Sequence, residues 1–191
     1  MKSVLTSVKP MQCELMARGA QTVMIKKTRP KMKAPFKCYI YCSEPKKKLD
    51  WGLCLDEGRV GLLSKSNYPL ADRYDLTILS GKVIGEFVCD KIIRFKVFED
   101  DIVQFWNFAE MERSGLTYEE IAEYVGCNNF GYAWHMSDLV IYDKAKELSE
   151  FSRHDTTYDN AFGWAFEDKP KRVALTRPPQ SWCYVESEDK I

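Results

Sequence analysis

The stretch that most restricts the fold is residues 82–98, Lys-Val-Ile-Gly-Glu-Phe-Val-Cys-Asp-Lys-Ile-Ile-Arg-Phe-Lys-Val-Phe. Val83, Gly85, Phe87 and Cys89 alternate against Ile84, Glu86 and Val88, and Ile92, Ile93, Phe95 and Val97 continue the run after a break at Asp90 and Lys91. β-Branched and aromatic residues at period two specify a strand. Gly81 opens the run, and Gly85 inside it predicts a bulge or a close backbone approach. A chain with this centre is built around a sheet.

Five shorter runs join it. Residues 3–9, 22–27, 37–43, 131–142 and 181–186 each carry alternating or β-prone sequence. Residues 11–18 have near-helical apolar spacing and end at Gly19, which takes the left-handed position after a helix at little cost. Thr117 with Glu120 three residues on is a capping box for a helix over 118–125. Residues 51–79 mix Gly, Asp, Asn and Pro with short apolar pieces and predict a long connection or insertion. Residues 144–151 predict a loop or one helical turn, and 153–167 are aromatic without a regular period. The sum is an α+β chain of about six strands and two or three short helices. A small mixed β-barrel with helices packed at its openings fits it, as one domain of 191 residues.

Hydrophobic content of 45% supports a packed core. No apolar run approaches the roughly 20 residues of a membrane span, and Lys9 interrupts the place where a signal peptide needs its apolar stretch. The expectation is a cytoplasmic protein with no membrane partner. Seven scattered cysteines, an odd number, do not make a secreted disulfide framework. Cys38 and Cys42 share one face of a strand at about 13 Å, too far for one zinc, and read as buried thiols. No metal and no cofactor is expected.

Charge is divided. Residues 1–50 hold 12 Lys or Arg against Glu14, Glu44 and Asp50, a net of +9, and the remainder carries −9. This asymmetry fits an anionic partner for the first part, or two halves that neutralise each other. Lys26, Lys27, Arg29 and Lys31 follow the second strand, and Lys9 ends the first. Such a cluster is either a solvated edge or the anion-binding wall of a cleft. Trp134, His135, Trp182 and Tyr184 could stack bases beside it or lie in the core. His135 with Lys26 would supply a metal-free ribonuclease with a base and a cation. The eight carboxylates of 99–123 suit a helix N-terminus better than a catalytic pair.

Gly19, Gln21, Met24 and Lys26 stand where the ASCH superfamily carries Gly-x-Lys-x-x-Glu-x-Arg. On these positions and on residues 4–10, 27–31, 37–42, 81–87, 134–142 and 177–184, the chain resembles a bacterial and phage branch of that family. The resemblance implies a single PUA-like domain over 1–191 with insertions near 45–79 and 152–171. It also implies a nucleic-acid role, with RNA or a modified nucleotide held in a cleft beside the barrel by Lys9, Lys26, Lys27, Arg29, Lys31, Trp134, His135, Trp182 and Tyr184. Some relatives are amidohydrolases or ribonucleases. Here Gln21 has no ionisable amine and Met24 no hydroxyl, and Glu112 alone would stand for the family's glutamate. The chain is therefore expected to bind without catalysis. Two alternatives stay open: an ASCH-type ribonuclease or amidohydrolase, and a phage or mobile-element inhibitor that docks on a bacterial defence protein.

Overall fold

β7 (Val83–Lys96) and β8 (Phe130–Lys146) form a long antiparallel ribbon on which the rest of the chain is hung. The computed structural model describes residues 2–98, 108–126, 129–154 and 172–186. Before the ribbon come β1 (Lys2–Val8), α1 (Pro10–Ala17), β2 (Val23–Lys26), β3 (Phe36–Cys42), β4 (Trp51–Asp56), β5 (Arg59–Ser64) and β6 (Thr77–Ile78). Between its strands lie α2 (Phe108–Ser114) and α3 (Tyr118–Val125). After it come β9 (Ser152–His154), β10 (Arg172–Ala174) and β11 (Trp182–Glu186).

Six strands make one sheet in the order β11-β1-β3-β7-β8-β2. Only β1 and β3 are parallel; every other neighbouring pair is antiparallel. The ribbon shifts register at Val83/Gly85, Glu86/Val88 and Cys89/Lys91, and each shift bends it. Gly85 is required at one bend, because a Cβ there would fall 2.3 Å from the Val140 carbonyl oxygen. The close approach expected at this glycine is present.

These bends bring distant strands together. β1 and β2 stand four places apart in the sheet. Even so, the Thr6 hydroxyl lies 3.7 Å from Met24 Sδ, and Lys26 Nζ donates to the Ser7 carbonyl at 3.1 Å. The sheet is curled almost shut, but among the described residues no backbone ladder joins β2 to β1 or β11. The architecture is the expected mixed PUA-like one, with an open seam in place of a closed barrel.

Three apolar clusters fill it. The interior holds Val4, Val8, Met24, Ile40, Phe87 and Trp134. Outside β2 and the end of the ribbon, α3 packs Ile121 and Val125 on Val23, Ile25 and Phe95. On the other outer face Leu5, Tyr39 and Val185 meet Phe151 and Leu175. α3 begins with the predicted capping box, the Glu120 N–H donating to Thr117 Oγ1 and the Thr117 N–H to Glu120 Oε2.

Two expectations need correction. Residues 51–79 hold a three-stranded sheet, β5-β4-β6, with 3₁₀ turns between β5 and β6. Glu57 and Gly58, both at positive φ, turn the hairpin as a two-residue loop requires. β8 also runs to Lys146, past the expected end at 142, because β7 supplies it with a partner as far as Val83. The irregular 153–167 stretch lies mostly outside the described residues; its start, as β9, pairs with β10. No helix among the described residues is long and apolar enough to cross a membrane.

Candidate nucleic-acid interface

The seam between β2 and β11 is where most of the predicted site residues lie, and local sequence explains how they reach it. Gly19, at φ +73°, reverses the chain after α1, and the Gln21 N–H donates to Leu15 O. The chain then enters β2, whose four residues are all buried. Period two sends Val23 and Ile25 toward the helices and Met24 and Lys26 toward the interior.

Lys26 is therefore not an exposed cation at a strand end. It is 5% exposed, and its one described hydrogen bond runs to the Ser7 carbonyl. Burial pulls its amine down to about 8. The exposed cations begin one residue later, with Lys27, Arg29 and Lys31. Lys27 Nζ lies 5.1 Å from the centre of the Tyr124 ring on α3.

Two hydrogen bonds fasten this segment to β11. Trp182 Nε1 donates to Thr28 Oγ1 at 2.9 Å, and the Lys31 N–H donates to the Tyr184 hydroxyl at 2.7 Å. Lys2 Nζ sits 4.0 Å above the Tyr184 ring. Trp182 and Tyr184 share a face, as their spacing predicts, and both are half-buried. They continue an aromatic row: Phe36 to Trp134 at 6.0 Å, Trp134 to Trp182 at 6.0 Å and Trp182 to Tyr184 at 5.4 Å. Trp134 is 0% exposed, so it backs the row from the core and offers no face for stacking.

His135 belongs elsewhere. It pairs with Val23 while Trp134 pairs with Met24, so it faces the helix-covered side, away from Lys26. Its Nε2 stands 3.2 Å from Glu110 Oε2 on α2. Burial holds it below the ordinary histidine range; Glu110 opposes that shift, while Arg113 and Lys91 add to it. The base-and-cation pair imagined for a ribonuclease is thus split across the sheet. The three amidohydrolase positions are also apart in character: Gln21 and Met24 are buried, and Glu112 is exposed on α2.

Lys9 is also separate. Trp182 pairs with Thr6 and Tyr184 with Val4, so Lys9 stands about 10 and 17 Å along the strand from their partners. Lys9 caps α1 beside the end of β3. Sequence reasoning missed Lys2, which its placement before the first strand left without a role. Cys38 and Cys42 are buried free thiols on one face of β3. No group of three or more potential metal ligands occurs among the described residues.

No protein-family model matches this sequence, and no curated protein does. Solved structures do. The crystal structure of ASCH from Zymomonas mobilis matches with a TM-score of 0.56 at 14% identity, over 97% of this chain and 89% of that one. A tyrosine-to-phenylalanine mutant of the same protein matches at 0.52 and 14% identity, over 98% and 93%. The match extends over nearly the whole of both chains, so the chain has an ASCH-like fold.

Proposed function

We propose that the protein binds single-stranded nucleic acid, RNA or a strand carrying a modified nucleotide, along the seam and without catalysis. One observation carries this reading. Lys27, Arg29 and Lys31 are exposed, and none of them pairs with a carboxylate among the described residues. The segment that bears them is hydrogen-bonded to two half-buried aromatics, Trp182 and Tyr184. Phosphates and base faces ask for that pairing of cations with rings. Lys26 supports the segment from behind, and Trp134 stiffens the aromatic row.

Fluorescence anisotropy with a short labelled oligouridine tests it. Lys27→Ala with Arg29→Ala should weaken binding at least ten-fold. With two phosphate contacts gone, the salt dependence should flatten by about 1.4 in log–log slope. Wild-type affinity and slope in this variant would end the reading. Retention of a bacterial protein after nuclease treatment, with no RNA bound, would favour the inhibitor alternative.

A further inference from the structure

The insertion between β3 and β7 carries cations and aromatics that the seam does not use. Lys46, Lys47 and Lys48 are consecutive and exposed, and none pairs with a carboxylate side chain among the described residues. Their turn is held on every side. Asp50 Oδ2 accepts from the Lys47 N–H at 2.8 Å, and the other carboxylate of the turn, Glu44, lies 3.9 Å from Lys65 Nζ. The Ser66 N–H donates to Lys48 O at 2.9 Å, the Lys65 N–H to Asp50 O at 3.0 Å, and Lys65 Nζ to Pro45 O at 2.7 Å. Trp51 begins β4 directly after the turn and is 55% exposed, with Leu49 beside it at 83%.

The turn also adjoins Lys9. Val8 O accepts from both the N–H and the hydroxyl of Ser43, which puts the chain into the turn beside the end of β1. Four unpaired cations and an exposed indole therefore gather at the end of the parallel β1–β3 pair, opposite the end where Lys2 and Lys31 meet Tyr184.

We infer that this turn is a second contact for the same single strand, with Lys9 and Lys46–Lys48 meeting phosphates and Trp51 stacking on a base. The inference rests on the nucleic-acid reading above. A flat anionic membrane fits less well. A surface broad enough to cover the module would also meet exposed carboxylates, Glu44 beside the lysines and Asp56 and Glu57 at the hairpin tip. A strand touches only the turn. Along β1, Lys9 stands about 10 Å from Thr6, the partner of Trp182, and about 17 Å from Val4, the partner of Tyr184. At about 3.4 Å per stacked nucleotide, a ligand needs more than five nucleotides to cover the seam as far as Tyr184 together with the turn. Short ligands would see one contact and longer ones two, with the gain of a bivalent ligand.

The test compares an oligouridine tetramer with a 20-mer on the full chain. Lys46→Ala/Lys47→Ala/Lys48→Ala should weaken the 20-mer at least ten-fold and flatten its salt slope by about 2, leaving the tetramer unchanged. Trp51→Ala should weaken the 20-mer about five-fold or more. An unchanged 20-mer in the triple-lysine variant overturns the second contact, even where Lys27→Ala/Arg29→Ala abolishes the tetramer. Conversely, a tetramer indifferent to the seam variant with a 20-mer dependent on the lysines removes the seam reading and keeps this one. Sedimentation of wild type, but not of the triple variant, with phosphatidylserine vesicles, together with no loss on the 20-mer, assigns the turn to a membrane surface instead.

Discussion

Lys26 sets the energetic character of the seam. Its folded pKa, about 8, lies below the ordinary 10.5 because burial penalises the ammonium. Below pH 8 both folded and unfolded chains hold the proton, and the folded one carries the full cost, about 3 kcal/mol. Between 8 and 10.5 the unfolded chain holds more protons than the folded one, so stability rises with pH across that window. Lys26→Met removes the cost and leaves Ser7 O without its donor, returning about 1 kcal/mol. The variant should therefore be about 2 kcal/mol more stable at pH 7 by urea unfolding, and its advantage should vanish near pH 10 and reverse above it. A variant less stable than wild type at pH 7 contradicts the account. The sequence showed that Met24 and Lys26 share a face, because Thr-Val-Met-Ile-Lys alternates. It could not show which face is interior, since helices bury the Val23 and Ile25 side just as fully.

At the scale of elements, the β7–β8 ribbon decides the curvature, and its bends depend on small local facts. Gly85→Ala would drive a Cβ to 2.3 Å from Val140 O, a backbone atom that cannot swing aside. A loss of about 1–3 kcal/mol is expected. Gly61→Ala in β5 meets nothing nearer than Cys54 Sγ at 4.0 Å and should stay within about 0.5 kcal/mol of wild type. Equal effects at the two sites would undo the steric argument. The ribbon and its glycine were legible because period two persists over many residues. The β4–β5 hairpin was not: Gly52 and Gly61 interrupt the alternation in both strands, and Gly52 is there because Tyr68 occupies the space a side chain would need. The capping box of α3 was legible in full, being a contact between residues three apart.

Across the whole molecule, the two rims of the curled sheet share no backbone ladder among the described residues, and each of these links uses a side chain: Thr6 to Met24, Lys26 to Ser7, Thr28 to Trp182 and Lys31 to Tyr184. Side-chain fastening is weaker and more local than a ladder. Trp182→Ala removes the ring between Trp134 and Tyr184 together with the Thr28 bond. Amide exchange should then speed up in β11 and the 27–31 segment, while β3 and β7 keep their protection. Uniform acceleration across all six strands would mean that the seam is no separate unit. None of these bridges could be foreseen, since each spans residues far apart in sequence. The resemblance put the 27–31 segment and β11 in one cleft, and Thr28 and Lys31 do touch Trp182 and Tyr184, whereas the displacement of Lys9 and His135 was not foreseen.

The pairing of Lys2 with Glu186 gives the first strand an unusual history on the ribosome. β1 lies inside the sheet, with β3 on one side and β11 on the other. β3 emerges soon after β1, but β11 is translated more than 170 residues later. At about 5–20 residues per second, one rim of β1 waits on the order of ten to thirty-five seconds for its neighbour. Through that interval a nascent chain presents an open β edge lined by Leu5 and Val4. An unpaired edge of that kind invites association with another chain, so a translation pause placed before β11 is expected to lower the soluble yield.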